Sequence, residues 1–299
     1  MSDHVLVTGG TGFIGRVLVN RLIREGYSPL VLSRNPRRAR RILPGVECVG
    51  SLAEIPADRA IVAMVNLAGA SIAGHPWTAR YKTTLHRSRI ETTSALVAWA
   101  ASRVAPPKVL VSASAIGFYG DRGEESLTEG SAPGRDFGAR LCLDWEDAAL
   151  VIETLGVRLV RLRIGLVLGG NGGLLRALLR PLLFGLGSVM GTGRQWMSWI
   201  HMDDLVELTM TALRAPEMNG AYNATAPCPA TQEDFIRAVG RIWRRPVLLR
   251  VPAWPIRRLL GEMSEILLEG QKVLPQRALS EGFRFAFPSL NEALEDIHG

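Results

Sequence analysis

The chain has 299 residues, 47% of them hydrophobic and 21% charged. That composition excludes a disordered polypeptide and leaves room for one large α/β domain or a domain with a smaller lobe. A net charge of +7 raises the question of nucleic acid, yet only three of the 35 basic residues are lysines, and the basic residues are densest between Arg34 and Arg41. Neither aromatic platforms nor a reading helix accompany that run, so local anion binding explains it better than a nucleic-acid partner.

The N-terminus, Met1-Ser2-Asp3-His4, carries no basic segment and no small-residue cleavage site, and no apolar run reaches the roughly 18 residues that span a bilayer. The expectation is a cytoplasmic protein without a membrane partner. Cys48, Cys142 and Cys228 are odd in number and far apart, which gives no disulfide framework and no metal-ligand spacing.

Along the first half, short β-branched runs alternate with longer amphipathic stretches. His4–Thr8, Pro29–Ser33, Ala60–Asn66, Lys108–Ala113 and Val157–Arg163 read as strands, four of the five largely apolar, as strands covered on both faces should be. Gly12–Glu25, Tyr81–Ser102 and Phe137–Leu155 read as helices, with Gly26 and Gly156 placed for left-handed caps. Repeated strand–helix–strand units predict a Rossmann-type doubly wound parallel sheet. After Gly165 the pattern loosens into a glycine-rich loop at 169–173, a helix at Leu174–Leu183, a strand at Trp196–Ile200, a helix at Asp203–Arg214, a strand at Asn219–Ala224 and a mainly helical tail. The expected organisation is a nucleotide-binding domain over 1–165 with return elements at about 194–227. Residues 166–193 and 228–299 would form a smaller C-terminal α+β lobe over the strand ends.

The turn Gly9-Gly10-Thr11-Gly12-Phe13-Ile14-Gly15 follows the first strand directly and opens the first helix. Glycine at 9, 12 and 15 permits a tight turn, close approach of a diphosphate and close helix–strand packing, while the helix start offers amide donors. The end of the second strand reads Leu32-Ser33-Arg34, where NAD-specific proteins commonly place a carboxylate. A serine and an arginine suit a 2′-phosphate instead, with Arg37 or Arg38 adding to the field, so the expected cofactor is NADP(H).

These segments, together with Val65-Asn66-Leu67-Ala68-Gly69, Ser88-Arg89-Ile90-Glu91-Thr92-Thr93, Trp199-Ile200-His201-Met202-Asp203-Asp204 and the stretch from Leu267 to Arg277, resemble the extended and atypical short-chain dehydrogenases. More narrowly, they are similar to the epimerase-like 39U subfamily. The resemblance implies Ser33 and Arg34 at the adenosine 2′-phosphate and Leu67 and Ala68, with Gly69, along the adenosine and ribose. It also implies a polar cofactor contact from Arg89 and an approach of Gly165–Val167 to the nicotinamide. A helix arginine paired with Glu91 is the alternative for Arg89.

Such enzymes typically move a proton with a tyrosine four residues ahead of a lysine on one helix face. Here Val31, Leu85, Gly123 and Ala226 follow the four tyrosines at that spacing, so the pair is absent. If Phe137 takes the tyrosine place, Leu141 takes that of the lysine, and Cys142 beside it reads as a small hydrophobe or a nucleophile. Ser114, with Ser112 second, is the expected catalytic serine, and Tyr119 is either a displaced acid or an aromatic that closes the pocket. His201 is a substrate-cleft candidate, while Asp203 and Asp204 read as caps or lobe anchors. Trp77, Trp196, Trp199 and Met197 suggest a partly apolar substrate, with buried core as the commoner role of such residues. The function expected is an oxidoreductase or epimerase on an unspecified small molecule with a non-standard acid–base set, or else a non-catalytic NADP(H) sensor or scaffold. The oligomeric state is left open.

Overall fold

The computed structural model describes residues 3–170 and 172–299. The first half runs β1 (His4–Thr8), α1 (Phe13–Arg24), β2 (Ser28–Leu32), α2 (Pro36–Ile42), β3 (Glu47–Val49), β4 (Ile61–Asn66), α3 (Ala79–Ala101), β5 (Val109–Ala115), β6 (Ser126–Leu127), α4 (Phe137–Leu150) and β7 (Arg158–Ile164). The second runs β8 (Leu166–Leu168), α5 (Gly173–Leu183), β9 (Gly187–Met190), β10 (Trp196–Met197), β11 (Trp199–His201), α6 (Met202–Arg214), β12 (Gly220–Ala224), β13 (Ala230–Thr231) and α7 (Gln232–Ile242). The tail holds β14 (Val247–Val251), α8 (Ala253–Leu260), α9 (Glu265–Leu268), β15 (Lys272–Val273), α10 (Gln276–Ser280) and α11 (Leu290–His298).

Seven strands form one parallel sheet in the order β12-β7-β5-β4-β1-β2-β3. The order reverses between β1 and β4, and the crevice of an open α/β sheet lies at that switch point, outside the strands' C-terminal ends. Alternation along β1 sends Val5 and Val7 into one core with Leu18 and Leu22 of α1 and Leu205 and Leu208 of α6. Leu6 points the other way, into a core with Leu30, Met64 and Leu96 of α3. The strand runs are apolar because both faces are covered.

The helix expected over Phe137–Leu155 is α-helical only to Leu150 and tightens into a 3-10 turn at Val151–Leu155, ended by Gly156 at φ 73°. The remaining strands pair two by two, β8 with β11, β9 with β14, β10 with β13 and β6 with β15. A separate apolar cluster joins Leu168, Leu175 and Leu182 to Phe235 and Val239 of α7 and Leu294 of α11. Trp199 belongs to this core, fully buried, and so takes the core role rather than the substrate-cleft one. No helix among the described residues is long and apolar enough to cross a membrane.

The start of α6 fastens the tail to the sheet. His201, not Asp203, is its N-cap, with Nδ1 accepting from the Asp203 amide at 3.3 Å. Its Nε2 lies 3.3 Å from Asp296 of α11 and its ring stacks on Phe287 at 3.9 Å. Asp204 is buried and accepts from the amides of Ala286 and Phe287 at 2.7 and 3.1 Å. His201 therefore packs against the tail, outside the cleft to which the motif had suggested it. Burial holds its pKa below the usual 6.5, against the opposing charges of Asp203, Asp296 and Asp204.

A base with a depressed folded-state pKa takes up a proton on unfolding. Its stabilising contribution is complete above the unfolded value and is lost as the pH falls through the folded one. The thermal midpoint should therefore drop between about pH 7.5 and about pH 5.5, and less steeply in His201→Asn, which keeps a capping side chain. Parallel pH profiles for the two proteins would show that His201 does not carry the effect.

Candidate active site

Gly9 sits at φ 70°, where a Cβ would lie 2.5 Å from the Leu67 carbonyl oxygen, and a Cβ at Gly15 would lie 2.2 Å from the Gly9 oxygen. The turn after β1 is therefore pressed against the turn after β4, and α1 is pressed back against the turn that precedes it. Gly12 precedes α1 in an extended conformation with no side-chain cap, so the helix start presents bare amides. Phe13 leans the other way. Its ring fills the space beside Gly169, Gly172 and Gly173, where a Cβ would come within 3.2, 2.6 and 2.9 Å of it.

Beneath this turn lies a buried chain of hydrogen bonds that the sequence reading missed. Thr8 Oγ1 donates to Asn66 Oδ1 at 2.6 Å, Asn66 Nδ2 to Thr93 Oγ1 at 2.8 Å, and Trp145 Nε1 to the same threonine oxygen at 3.1 Å. It fixes β1, β4, α3 and α4 relative to one another. At the end of β2, Ser33 is half-buried, and its Oγ accepts from the Asn35 amide at 3.3 Å. Arg34, Arg37 and Arg38 are exposed, and none of their guanidinia enters an ion pair among the described residues.

Arg89 donates to the carbonyls of Leu85 and Ala70 at 3.0 and 3.2 Å and lies over the Trp145 ring at 5.1 Å. Glu91 pairs with Arg87 instead, so the helix-surface alternative for Arg89 fails. Its guanidinium packs against Gly69, and burial lowers its pKa.

A cavity of about 310 Å³ opens next to Arg89. Ala115, Ile116, Ile164 and Gly165 at the ends of β5 and β7 make its floor, and α4 contributes Gly138, Leu141, Cys142 and Trp145. Leu178 of α5, Met190 of β9 and Trp196 and Met197 of β10 face it, and Glu265–Leu267, Glu269 and Gln271 of the tail roof it. The tail comes this close because Gly270 has no side chain, where a Cβ would lie 2.2 Å from the Trp196 carbonyl. Val167, on β8 opposite Ile200, is half-buried and lies one residue beyond the lining residue Leu166.

The expected register of α4 is corrected. Phe137 turns away from the cavity, edge-on to Trp77 at 5.2 Å and under the Lys82 ammonium at 4.7 Å, while Gly138 and Cys142 share the lining face. No tyrosine or lysine lines the cavity among the described residues. Burial first, then Glu146, pushes the Cys142 thiol up to about 12, which leaves it a protonated, inert wall atom.

The two residues expected to act on substrate lie elsewhere. Register sets Ser114 of β5 and Asn223 of β12 on either side of Arg163 in β7, in one polar row across the sheet. Ser114 Oγ donates to Glu146 Oε1 at 2.8 Å; Arg163 grips both oxygens of Glu146 at 2.8 and 3.0 Å, and Arg161 adds a bond at 3.1 Å. Tyr119 accepts from Arg163 Nη1 at 2.9 Å and donates to Asn223 Oδ1 at 2.6 Å. Burial raises the Tyr119 pKa against the opposing pull of Arg163. Ser112, the second choice, is equally buried and makes only a 3.4 Å contact with the Ala113 carbonyl. None of the three serine and tyrosine candidates lines the cavity.

Residues 5–225 match the NAD dependent epimerase/dehydratase family. The chain belongs to this family. Residues 251–297 match a second one, a domain of unknown function designated DUF1731, which contains the part of the tail that roofs the cavity. Among family members, the epimerase family protein SDR39U1 homolog, chloroplastic, of Arabidopsis thaliana is 39% identical over 98% of this chain and 86% of its own. Epimerase family protein YfhF of Bacillus subtilis (strain 168) is 37% identical over 98% and 97%. The crystal structure of human epimerase family protein SDR39U1 (isoform2) with NADPH superposes with a TM-score of 0.89 at 33% identity, covering 99% of each chain. MoeE5 in complex with UDP-glucose and NAD shares the fold at a TM-score of 0.79 and 21% identity, over 99% of this chain and 97% of its own.

Removing one partner of a buried ion pair strands the other. Glu146→Ala should cost about 3–5 kcal/mol and Ser114→Ala about 1.5–3 kcal/mol in urea unfolding. A Glu146→Ala protein as stable as the wild type would show that Arg163 does not depend on it.

Proposed function

We propose that the chain binds NADP(H) across the ends of β1, β2 and β4 and transfers hydride to or from a small molecule held in the adjoining cavity. The observation that carries this reading is the continuity of a glycine cradle, a half-buried guanidinium and a largely apolar cavity along one line of strand ends.

The residues present fit the cofactor. The uncapped start of α1, with Gly9, Thr11, Gly12, Phe13 and Ile14, would hold the diphosphate on backbone amides. Ser33 and Arg34 would hold the adenosine phosphate at a strand end that has no carboxylate to reject it. Leu67, Ala68 and Gly69 would lie along the adenosine and ribose, and Arg89 and Val167 toward the nicotinamide half. The human relative's structure with NADPH supports the same choice.

When bound, NADP(H) supplies or accepts the hydride; the chain's own residues orient the reactant, exclude water and exchange a proton. The carboxyls of Glu265 and Glu269 are available for that exchange. Burial, then the neighbouring carboxylates, holds both above the usual carboxylate range. The absence of a tyrosine–lysine pair favours a second reading, a protein that keeps NADP(H) as a sensor or scaffold without turnover.

Arg34→Ala should weaken NADPH binding about tenfold or more by calorimetry while leaving NADH unchanged. An equal loss for both nucleotides would defeat the phosphate assignment. Oxidation of NADPH in the presence of a panel of carbonyl compounds, abolished in the Glu265→Gln/Glu269→Gln double variant, supports turnover through these carboxyls. If no compound is reduced, the sensor reading stands.

A further inference from the structure

The walls of the cavity define what can enter it. Trp77, Trp145 and Trp196 all line it, and each indole N–H is already committed to protein: Trp77 to the Ile72 carbonyl at 2.9 Å, Trp145 to Thr93 at 3.1 Å and Trp196 to Glu124 at 2.9 Å. What these side chains offer an occupant is ring surface. Three of the neutral polar side chains are similarly engaged. Gln195 donates to the carbonyls of Met190 and Leu267 at 3.0 and 2.9 Å, Gln232 accepts from the Met190 amide at 3.0 Å, and Ser198 donates to the Gln271 carbonyl at 2.7 Å.

Charge points the same way. Arg89 is the one cation among the described lining residues, and it stands at the end of the cavity nearest the cofactor groove with two of its N–H groups held by backbone. The nearby lysines are occupied, Lys82 by Glu262 and the Phe137 ring and Lys272 by the Trp196 ring at 4.7 Å. Asp136, Glu265 and Glu269 also line it, so acids outnumber the one cation. A diphosphate brought into such a space would be desolvated with only the backbone-engaged Arg89 to meet it and three acidic groups around it.

We propose that this cavity takes a flat, largely apolar ring compound that carries no phosphate, and that it excludes the nucleoside diphosphate sugars bound by other proteins of this fold. The inference rests on the cofactor reading above only for what lies beside the ligand; the walls themselves belong to the chain.

Acetonaphthone serves as the ring probe and UDP-glucose as the nucleotide-sugar probe, each titrated into NADPH-loaded and into cofactor-free protein. Tryptophan emission and calorimetry report binding. The expected result is saturable quenching by acetonaphthone and no heat from UDP-glucose over the same concentrations. Trp196→Ala should weaken the ring probe about tenfold and Trp196→Phe should restore it, as expected of ring surface. Tighter binding of UDP-glucose, failure of the ring probe on both forms of the protein, or an unchanged affinity in Trp196→Ala would each overturn the proposal. Loss of NADPH binding with retention of the ring probe would overturn the cofactor reading alone.

Discussion

A guanidinium enclosed by protein must be matched by a carboxylate, and the meeting of Arg163 with Glu146 organises the middle of this molecule. The pair lies within β7 and α4, draws in Ser114 from β5 and Tyr119 from the turn after it, and reaches Asn223 on the edge strand. Asn223 passes the connection on to the tail by donating to the Leu274 carbonyl at 2.9 Å. Arg163 also lies flat over the Phe118 ring at 3.5 Å. Burial alone would lower its pKa; the bonds and charge of Glu146 more than offset that and raise it. A polar row centred on Arg163, in a sheet otherwise built largely from apolar residues, sets one arrangement of three strands, a helix and the tail, because any slip of register would leave a buried charge unmatched.

The cavity inherits its shape from this arrangement. The residues of α4 that precede Glu146, among them Gly138, Leu141 and Cys142, line the ligand space, and Tyr119 is held out of it. A helix that in related folds presents a phenol and an ammonium here presents a leucine, a glycine, a protonated thiol and an indole. The ionisable groups at the strand ends consequently come from the tail, whose carboxyls reach the cavity from more than a hundred residues further along the chain. The nucleotide groove and the ligand space thus come from different parts of the sequence and meet at Arg89.

Much of the sheet was legible because its signals are local. Apolar runs of strand length, glycines at 9, 12 and 15 and the carboxylate-free end of β2 each carry their meaning within a few residues. The three-residue β3 lacked a run long enough to read. The site was less legible, since its polar partners meet only through register. Ser114 and Tyr119 sit where a catalytic pair is expected, and nothing near them in sequence reveals that Glu146, Arg163 and Asn223 have claimed both. A usable signal was present nonetheless. Arg161 and Arg163 point to one face of an otherwise apolar strand, and a buried strand with two arginines requires a carboxylate opposite it. Asn66 offered a comparable hint, being a polar residue at the end of a fully covered strand. The roofing role of Glu265–Gln271 left no local trace at all.

The ring of Phe13 ties distant segments together. It begins the helix whose amides form the phosphate cradle, and it occupies the volume that Gly169, Gly172 and Gly173 leave vacant. Gly173 is in turn the first residue of α5, which carries Leu178 into the ligand space. Cradle and ligand wall therefore meet across one aromatic ring, in the close-packed manner of a protein interior, where a change in volume on one side is felt on the other.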